Sequence, residues 1–425
     1  MRVGFAVIVL VLAGWLWQMI DGISRTNRPE SVVVLQPVME DIAYEQNHAF
    51  AYVSETREAI GMNGLTPNTL LERAAQSHAD YLVTNHAKSH FETEGKPRFT
   101  GVAPIDRVAH AGYASLGVSE NLSTHHNSAK ASVEGLFSAI YHRFAFLDPQ
   151  IDEMGVGVTQ DVAKGSNSAF VYLMGSSHIR TLCEEESFKG NGRYIYKVCL
   201  DRKHRIRTKV FTRALHFQQR ENPQLILYPY DGQEGVSPVF YDESPDPLPD
   251  SEVSGFPVSV LFNPFFFTQL SEVSLALYRD QEEGVVPARF MDKESDPHGR
   301  FSTHQFALFP EERLAYNTRY KAVLQYRYKG EVQHRVWYFS TTQIEEPLYT
   351  ITQVQQTIHI KAGSDCVLYF KPKDAHDLLG NIHYPQHVSV AFLDHNTLKL
   401  SMLSTDADSF TIQTDRHSVK VIVAP

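Results

Sequence analysis

The chain has 425 residues, of which 43% are hydrophobic and 21% charged, so it is long enough for two or three domains of ~100–200 residues each. Its 49 acidic and 39 basic residues give a formal net charge of −10, which argues against general affinity for nucleic acid or anionic lipid. No low-complexity tract or long run of like charge indicates disorder. Composition therefore predicts several folded domains and no nucleic-acid partner.

The first 24 residues differ in kind from the rest. Arg2 precedes the uncharged stretch Val3–Ile20, which is about long enough to cross a bilayer as a helix, and Asp21 ends it. The single cation at the N-terminal side predicts that the bulk of the chain lies outside the cytoplasm. No Ala-x-Ala cleavage site follows the stretch, and Gly22-Ile23-Ser24 is a poor substitute for one. We therefore favour an uncleaved membrane anchor at residues 1–24, with secretion as the alternative if the segment is cleaved.

The next region alternates helical patterns with short apolar runs. Thr66 can cap a helix that has Pro67 in its first turn. Pattern and breakers predict four helices and two central strands. The helices are expected over residues 38–60, Thr66 to about His86, Ile105–Ala111 and Ser128–Phe144, and the strands over Met154–Val158 and Ala169–Met174.

Four short motifs lie within this region: Ser89-His90, Ser119-Glu120-Asn121, Tyr141-His142-Arg143 and Gly155-Val156-Gly157. In order, residue type and interval they resemble the CAP superfamily of SCP-like extracellular domains, as found in bacterial secreted proteins. The resemblance implies an α-β-α sandwich over residues 37–180. The fold class expected for the whole chain is α+β, with this CAP domain followed by all-β sandwich-like modules.

The same resemblance implies a shallow cleft lined by two histidines and one or two glutamates. Matched motif by motif, these residues are His90, Glu120 and His142. The second glutamate of animal and plant members falls here at Ser138, which we include among the expected ligand-binding residues. Arg107 is expected to form a structural ion pair.

Two imidazoles and one carboxylate form a ligand set suited to zinc or another divalent cation with an open fourth position. Without metal, the same set (His90, Glu120 and His142) offers a general base. A nucleophile is harder to name, because Ser89, Ser119 and Ser138 lie in no Gly-x-Ser-x-Gly elbow and all three cysteines lie outside the domain. The sequence leaves open whether the protein is an enzyme.

Residues 181–255 are interpreted as a hairpin followed by a proline-rich linker. Cys183 and Cys199 flank the turn signal Asn191-Gly192, so they can face each other across a hairpin and form a disulfide, or remain free. The run from Lys197 to Arg213 is basic, whereas residues 231–252 are acidic. The basic run either contacts an anionic polymer such as a cell-wall glycan or is a solvated hairpin facing the acidic segment, and we favour the second interpretation.

The remaining chain is rich in strand patterns. Residues 256–342 resemble a bacterial immunoglobulin-like or fibronectin-type sandwich, and residues 343–425 are interpreted as a further β-rich unit. The expected strands are Pro257–Phe262, Val273–Tyr278, Gln305–Phe309, Arg319–Tyr328, Val336–Thr341, Thr357–Ile360, Cys366–Phe370, Val388–Phe392, Leu398–Met402 and Val419–Val423.

These observations favour an extracytoplasmic CAP-domain protein that binds an apolar ligand, a cell-envelope polymer or another protein at the cleft. A metal-assisted, peptidase-like hydrolase that uses His90, Glu120 and His142 is the rival interpretation. A non-catalytic adhesion or interaction scaffold is the third. The expected partners are a lipid, a cell-envelope polymer or a protein, with a membrane contact through the N-terminal segment.

Overall fold

A computed structural model describes residues 39, 41–161, 167–241, 243–251, 253–373, 379–403 and 408–424. The predicted anchor at residues 1–24 lies outside this set. No helix among the described residues is long and apolar enough to span a membrane. The described residues divide into two compact units, one within residues 39–343 and the other within residues 344–424.

Seven helices lie in the described part of the chain, all within the first unit. They are α1 (Ile42–Ala59), α2 (Thr69–Asn85), α3 (Pro104–His110), α4 (Ala129–Ser138), α5 (Ile140–Phe146), α6 (Ser177–Glu184) and α7 (Thr208–Arg220).

Four strands form the central sheet of the N-terminal part, in the order β1-β3-β4-β2. They are β1 (Thr66–Pro67), β2 (Ser119–Thr124), β3 (Glu153–Asp161) and β4 (Asn167–Gly175). Strand β4 pairs antiparallel with β2 and β3, and β1 pairs parallel with β3.

The sheet is covered on both faces, as the side chains of β4 demonstrate. Ala169, Val171 and Leu173 pack into one core with residues of α2, whereas Phe170 and Tyr172 pack into another core with residues of α1, α4 and α5. Because side chains alternate along a strand, burial of both sets requires a layer on each face. This arrangement is the predicted α-β-α sandwich.

Helix α2 approaches strand β3 at backbone distance. A Cβ atom added to Gly155 would lie 1.9 Å from the backbone nitrogen of Glu72, and one added to Gly157 would lie 2.3 Å from the carbonyl carbon of Ala75. The two glycines therefore permit the close packing of the helix on the strand.

Two helix boundaries differ from the sequence expectation. Asn68, not Thr66, caps α2, because its side chain accepts hydrogen bonds from the backbone N–H groups of Leu70 and Leu71. Thr66 instead begins the short strand β1. The helix expected over Ser128–Phe144 is interrupted at Ala139, which adopts an extended backbone between α4 and α5.

Cys183 and Cys199 form a disulfide, but not across a hairpin. Cys183 lies in α6, and Cys199 forms an isolated bridge with Ser115. The hairpin that follows α6 consists of β5 (Tyr194–Ile195) and β6 (Ile206–Arg207), which pair antiparallel.

The linker expected over residues 181–255 is partly structural. Strands β7 (Leu225–Tyr228) and β8 (Gln233–Val236) join the two sheets of the following β module, so that module begins near Leu225 rather than at residue 256. Strand β7 pairs with residues Val258–Phe262, more than 25 residues further along the chain, and local sequence patterns do not encode such pairing.

The β module of residues 225–341 contains two four-stranded sheets, in the orders β13-β14-β11-β7 and β12-β15-β16-β8, and the small pair β9/β10. The further strands are β9 (Val239–Phe240), β10 (Ser254–Gly255), β11 (Val258–Phe262), β12 (Ser271–Arg279), β13 (Ala288–Met291), β14 (Gln305–Pro310), β15 (Arg319–Tyr328) and β16 (Glu331–Thr341). The immunoglobulin-like or fibronectin-type resemblance of this module stays a prediction.

The C-terminal unit also contains two four-stranded sheets, in the orders β17-β19-β22-β21 and β18-β24-β23-β20. Its core includes Cys366, a buried free thiol. The strands are β17 (Leu348–Ile351), β18 (Gln355–Lys361), β19 (Cys366–Phe370), β20 (Ile382–His383), β21 (Val388–Asp394), β22 (Thr397–Met402), β23 (Ser409–Thr414) and β24 (Ser418–Ala424).

Candidate functional site

The first half of the candidate site is an ion-paired carboxylate that holds a histidine. Glu120 lies on β2, and its side chain is 1% exposed. Its Oε1 accepts a hydrogen bond from His90 Nδ1 at 2.9 Å, and Arg107 Nη2 donates to both carboxylate oxygens at 2.8 and 2.6 Å. The sequence motifs thus bring His90 and Glu120 together, and Arg107 forms an ion pair with Glu120.

The ion pair keeps Glu120 in its charged form. Burial alone would raise the pKa of this carboxyl, but the hydrogen bond from His90 and the positive charge of Arg107 hold the pKa below its ordinary value. A carboxylate in this state accepts hydrogen bonds and does not donate a proton near neutral pH. Glu120 therefore orients His90.

A second pair, His78 and Glu92, is fully buried and supports the His90 half of the site. His78 on α2 shares a 2.8 Å hydrogen bond between its Nδ1 and Glu92 Oε1, and its Nε2 lies 3.1 Å from the carbonyl oxygen of Ser89. Arg107 Nη1 donates to the carbonyl oxygen of His90 at 3.1 Å. These contacts hold the backbone carbonyl groups of Ser89 and His90, so buried polar groups set the position of the His90 ring.

The second half of the site is His142 on α5, and its partner comes from outside the CAP-like region. His142 Nδ1 donates to Glu243 Oε2 at 2.8 Å, and the backbone N–H of Tyr141 donates to the same carboxylate. The His142 carbonyl oxygen accepts from Asn121 Nδ2 at 2.8 Å, so the neighbour of Glu120 also positions this histidine. The centroids of the His90 and His142 rings are 6.5 Å apart.

Sequence reasoning did not identify Glu243, which lies in the stretch interpreted as a linker. Its side chain is 1% exposed and 101 residues from its histidine partner, so local spacing offers no signal for the pairing. One feature of the sequence hints that His142 needs a carboxylate from elsewhere: Ser138 stands where the resemblance implies a glutamate. In this chain a carboxylate from another segment contacts that histidine.

The residues on either side of His142 also reach the β module. Tyr141 donates its hydroxyl hydrogen to Asp296 Oδ1 at 2.5 Å. Arg143, which is fully buried, donates from Nη1 to the carbonyl oxygen of Pro257 at 2.7 Å and to Ser259 Oγ at 3.0 Å. Three consecutive residues of α5 are therefore bonded to the β module. The His142 half of the cleft is formed by the CAP-like region and the β module together.

None of the three serines considered from the sequence is arranged as a nucleophile. Ser138 Oγ donates to the carbonyl oxygen of Gly135 at 2.7 Å, and Ser89 Oγ accepts from the backbone N–H of Phe91. Ser119 Oγ is buried and has no hydrogen-bond partner. Within the described ranges, none of the three hydroxyls is hydrogen-bonded to a histidine that could remove its proton.

The zinc site predicted from His90, Glu120 and His142 does not fit this arrangement as a three-ligand set. Both oxygens of Glu120 accept hydrogen bonds from Arg107, and Oε1 also accepts from His90 Nδ1, so a metal at this carboxylate would compete with these donors. Among the residues that the structure describes, no group of three or more His, Cys, Asp or Glu side chains could hold a metal ion. We therefore derive no chemical step through a metal.

Residues 50–174 match the family model described as CAP: Cysteine-rich secretory protein family. The match contains His90, Glu120 and His142 and ends before the β module begins at Leu225. It supports the CAP resemblance of this region and an extracellular CAP-domain protein. No curated protein matches the chain.

Several solved structures are similar to parts of the chain. An outer surface protein from Borrelia burgdorferi shares 18% identity over 35% of this chain and 98% of its own, with a TM-score of 0.28. An extracellular protein containing an SCP domain from Bacillus anthracis shares 18% identity over 32% of this chain and 41% of its own, with a TM-score of 0.27. A cysteine-rich secretory protein from Staphylococcus aureus shares 19% identity over 33% and 41%, with a TM-score of 0.20.

Proposed function

We propose that this chain is an extracytoplasmic binding protein that holds an apolar or cell-envelope molecule at the cleft between His90 and His142. One observation carries the proposal. The two imidazoles lie 6.5 Å apart, and the Nδ1 atom of each is held by a separate buried carboxylate, Glu120 or Glu243. Such an arrangement fixes two rings for recognition without supplying a reactive group.

Each histidine has one ring nitrogen available to a ligand. Because an ionised carboxylate only accepts hydrogen bonds, Nδ1 carries the proton in each pair, and Nε2 of the neutral ring is an acceptor. Neither Nε2 atom has a hydrogen-bond partner among the described residues. The side chains of His90 and His142 are 37% and 14% exposed, so a ligand hydroxyl or amide can reach them.

Two exposed apolar residues lie on the segments that flank His90. Phe91 and Val102 are large hydrophobic residues that are 62% and 47% exposed. The two segments are held together because the backbone N–H of Glu92 and Arg107 Nη1 both donate to the carbonyl oxygen of Val102. Exposed apolar side chains next to hydrogen-bond acceptors suit a ligand with an apolar body and a polar head.

The rival interpretation is a metal-assisted hydrolase, which requires a metal and a general base at His90, Glu120 and His142 in addition to a bound substrate. Glu120 is committed to Arg107, and no serine hydroxyl is bonded to either histidine in the described segments. General-base catalysis also needs a nucleophile within hydrogen-bond reach of the base. Ligand binding requires neither group, so it is the better-supported function.

The test uses the full chain and a pyrene-labelled dodecanol, which has an apolar body and a hydroxyl head. Fluorescence titration should give saturable binding, and His90→Ala and His142→Ala should each weaken it by about threefold to tenfold, the range for a lost hydrogen bond. His110→Ala removes an exposed histidine of the same domain and should bind as the parent does. Equal affinity in all four proteins, or no saturable binding to the parent, contradicts the proposal.

Glu243→Ala and a metal assay separate the two interpretations of the cleft. Loss of the Glu243 carboxylate frees the His142 ring to rotate, so Glu243→Ala should weaken alcohol binding in the same direction as His142→Ala. Zinc content after mild purification should stay far below one ion per chain. Stoichiometric zinc that disappears in both histidine variants would instead support the metal-assisted hydrolase.

A further inference from the structure

A second surface carries strong positive charge on a chain that is acidic overall. Residues 193–213 form the hairpin β5/β6 and the first turns of α7, and they contain eight cations and a single carboxylate, Asp201. Seven of the cations are exposed and Arg205 is half-buried. We call this surface the basic platform, and its cations are Arg193, Lys197, Arg202, Lys203, Arg205, Arg207, Lys209 and Arg213.

The charges of the basic platform are not neutralised by neighbouring acids. Within the described residues, none of the eight cations has a carboxylate oxygen within 4.0 Å. Two acids of the segment that the sequence suggested as their partner are bonded elsewhere, since Glu243 holds His142 and Asp231 lies 4.0 Å from Arg335. Glu185 and Glu186 line a groove together with Arg205 and Arg207, but neither glutamate forms an ion pair with these arginines.

The outer face of the hairpin combines arginine with exposed tyrosine. Tyr194 is directly opposite Arg207 in the β5/β6 pair, and Tyr196 and Arg205 are the next residues beyond these two strands. Tyr194 and Tyr196 are 41% and 53% exposed, with ring centroids 6.0 Å apart. The Arg205 guanidinium lies 5.0 Å from the Tyr194 centroid, and each ring keeps accessible surface beside a cation.

The platform is held rigidly by the CAP domain. The disulfide from α6 ends at Cys199, and the segment around Cys199 pairs with residues 114–116 through the bonds Leu116 N to Val198 O and Leu200 N to Ala114 O. The hairpin is therefore anchored on its inner side while its charged face is open. Groups fixed in advance lose little entropy when they bind a ligand, which favours recognition by this surface.

We propose that the basic platform binds a polyanionic polysaccharide, that is, a glycan chain carrying carboxylate, sulfate or phosphate groups. Arginine pairs with such oxyanions through two parallel hydrogen bonds, and a tyrosine ring offers a flat amphipathic surface to the C–H face of a sugar. Disulfides persist in oxidising compartments outside the cytoplasm, and glycans of the cell envelope are polyanions that a protein meets there. The surface is distinct from the His90/His142 cleft and does not depend on the function proposed for it.

The test measures binding of the full chain to heparin, a sulfated glycan, at two salt concentrations. Arg205→Gln/Arg207→Gln should weaken heparin binding about tenfold or more. It should also reduce the salt dependence of binding, because a protein with fewer arginine–sulfate contacts releases fewer counterions when it binds. Arg289→Gln/Lys329→Gln removes two exposed cations from the β module and should change affinity less than about twofold. Thermal unfolding of both variants should match the parent, since these side chains are at the surface.

Two further probes decide whether a glycan is the ligand. Poly-glutamate of matched charge should bind more weakly than heparin, and Tyr194→Ser/Tyr196→Ser should abolish this preference. Vesicles of phosphatidylcholine and phosphatidylglycerol should not retain the protein. Equal heparin binding by Arg205→Gln/Arg207→Gln and the parent, equal affinity for poly-glutamate and heparin, or tighter binding to vesicles would overturn the proposal.

Discussion

The buried ion pair of Arg107 and Glu120 holds His90 in the cleft. Both side chains are removed from water, which costs free energy, and their mutual hydrogen bonds compensate only while both partners are present. Removal of one partner from such a pair costs about 3–5 kcal/mol, because the other charge is left unpaired. The position of His90 is therefore coupled to domain stability.

The pH dependence of stability follows from the lowered pKa of Glu120. A carboxyl whose pKa is lower in the folded state stabilises the protein above its ordinary pKa of about 4.3, and this stability is lost as the pH falls through the folded value. Glu120→Gln should therefore destabilise the protein strongly at pH 7 and progressively less below pH ~4. Urea unfolding followed by circular dichroism measures both differences, and exposed Glu94→Gln is the control. A Glu120→Gln difference that is constant with pH would contradict this account.

Sequence motifs sufficed to find some residues of the cleft and not others. His90, Glu120 and His142 lie in short motifs whose order matches the CAP pattern, and the structure places the two rings near each other and His90 on Glu120. Their roles in binding stay predictions. Glu243 could not be found in this way, because its contact with His142 is formed only when a distant segment folds against α5.

Helix existence was easier to predict than helix ends. The apolar stripe of residues 128–144 is continuous, yet the structure divides it at Ala139 because Arg143 folds back onto the end of α4. Its Nε donates to the carbonyl oxygen of Phe137 at 2.6 Å, and Nη2 donates to that of Ser138 at 3.4 Å. Carbonyls at a helix end need such donors, and here a buried side chain supplies them. Periodicity alone carries no information about this contact.

The close packing of α2 against β3 predicts a large effect for a single methyl group. Gly155→Ala would place a carbon 1.9 Å from the Glu72 backbone nitrogen, so the helix must move, and overpacking of this kind costs about 1–3 kcal/mol or more. Gly284→Ala is the matched control, since its added Cβ meets no atom within 4 Å. Denaturant midpoints compare the two variants. A Gly155→Ala protein as stable as Gly284→Ala would show that the helix and strand are farther apart.

At the scale of the whole molecule, residues 181–255 are more than the hairpin and linker that the sequence suggests, and the domain bounds expected further along the chain stay predictions. The chain divides into compact units at residues 343 and 344. The segment of residues 181–255 lacks strong periodicity, yet it supplies β7 and β8 to two different sheets. Strands whose partners are distant in sequence are stabilised by those partners more than by local propensity.

Truncation should reveal which parts of the chain depend on one another. A chain that ends at Gln343 keeps the whole first unit, so its unfolding temperature should be unchanged. A chain that ends at Pro223 loses the partners of Tyr141, His142 and Arg143, and we expect its unfolding temperature to fall by about 10 °C, given a loss of several kcal/mol. Differential scanning calorimetry measures both. Equal transitions for the two truncated chains would mean that the β module contributes nothing to the CAP domain.

The bonds from Tyr141, His142 and Arg143 to the β module restrict how this architecture can be recombined. A graft of the CAP domain onto another carrier would leave a phenol and an imidazole without their acceptors and would remove two of the acceptors of a buried guanidinium. Any chimera that preserves the cleft must therefore inherit both halves of the first unit together. The junction that tolerates exchange is the one at residues 343 and 344.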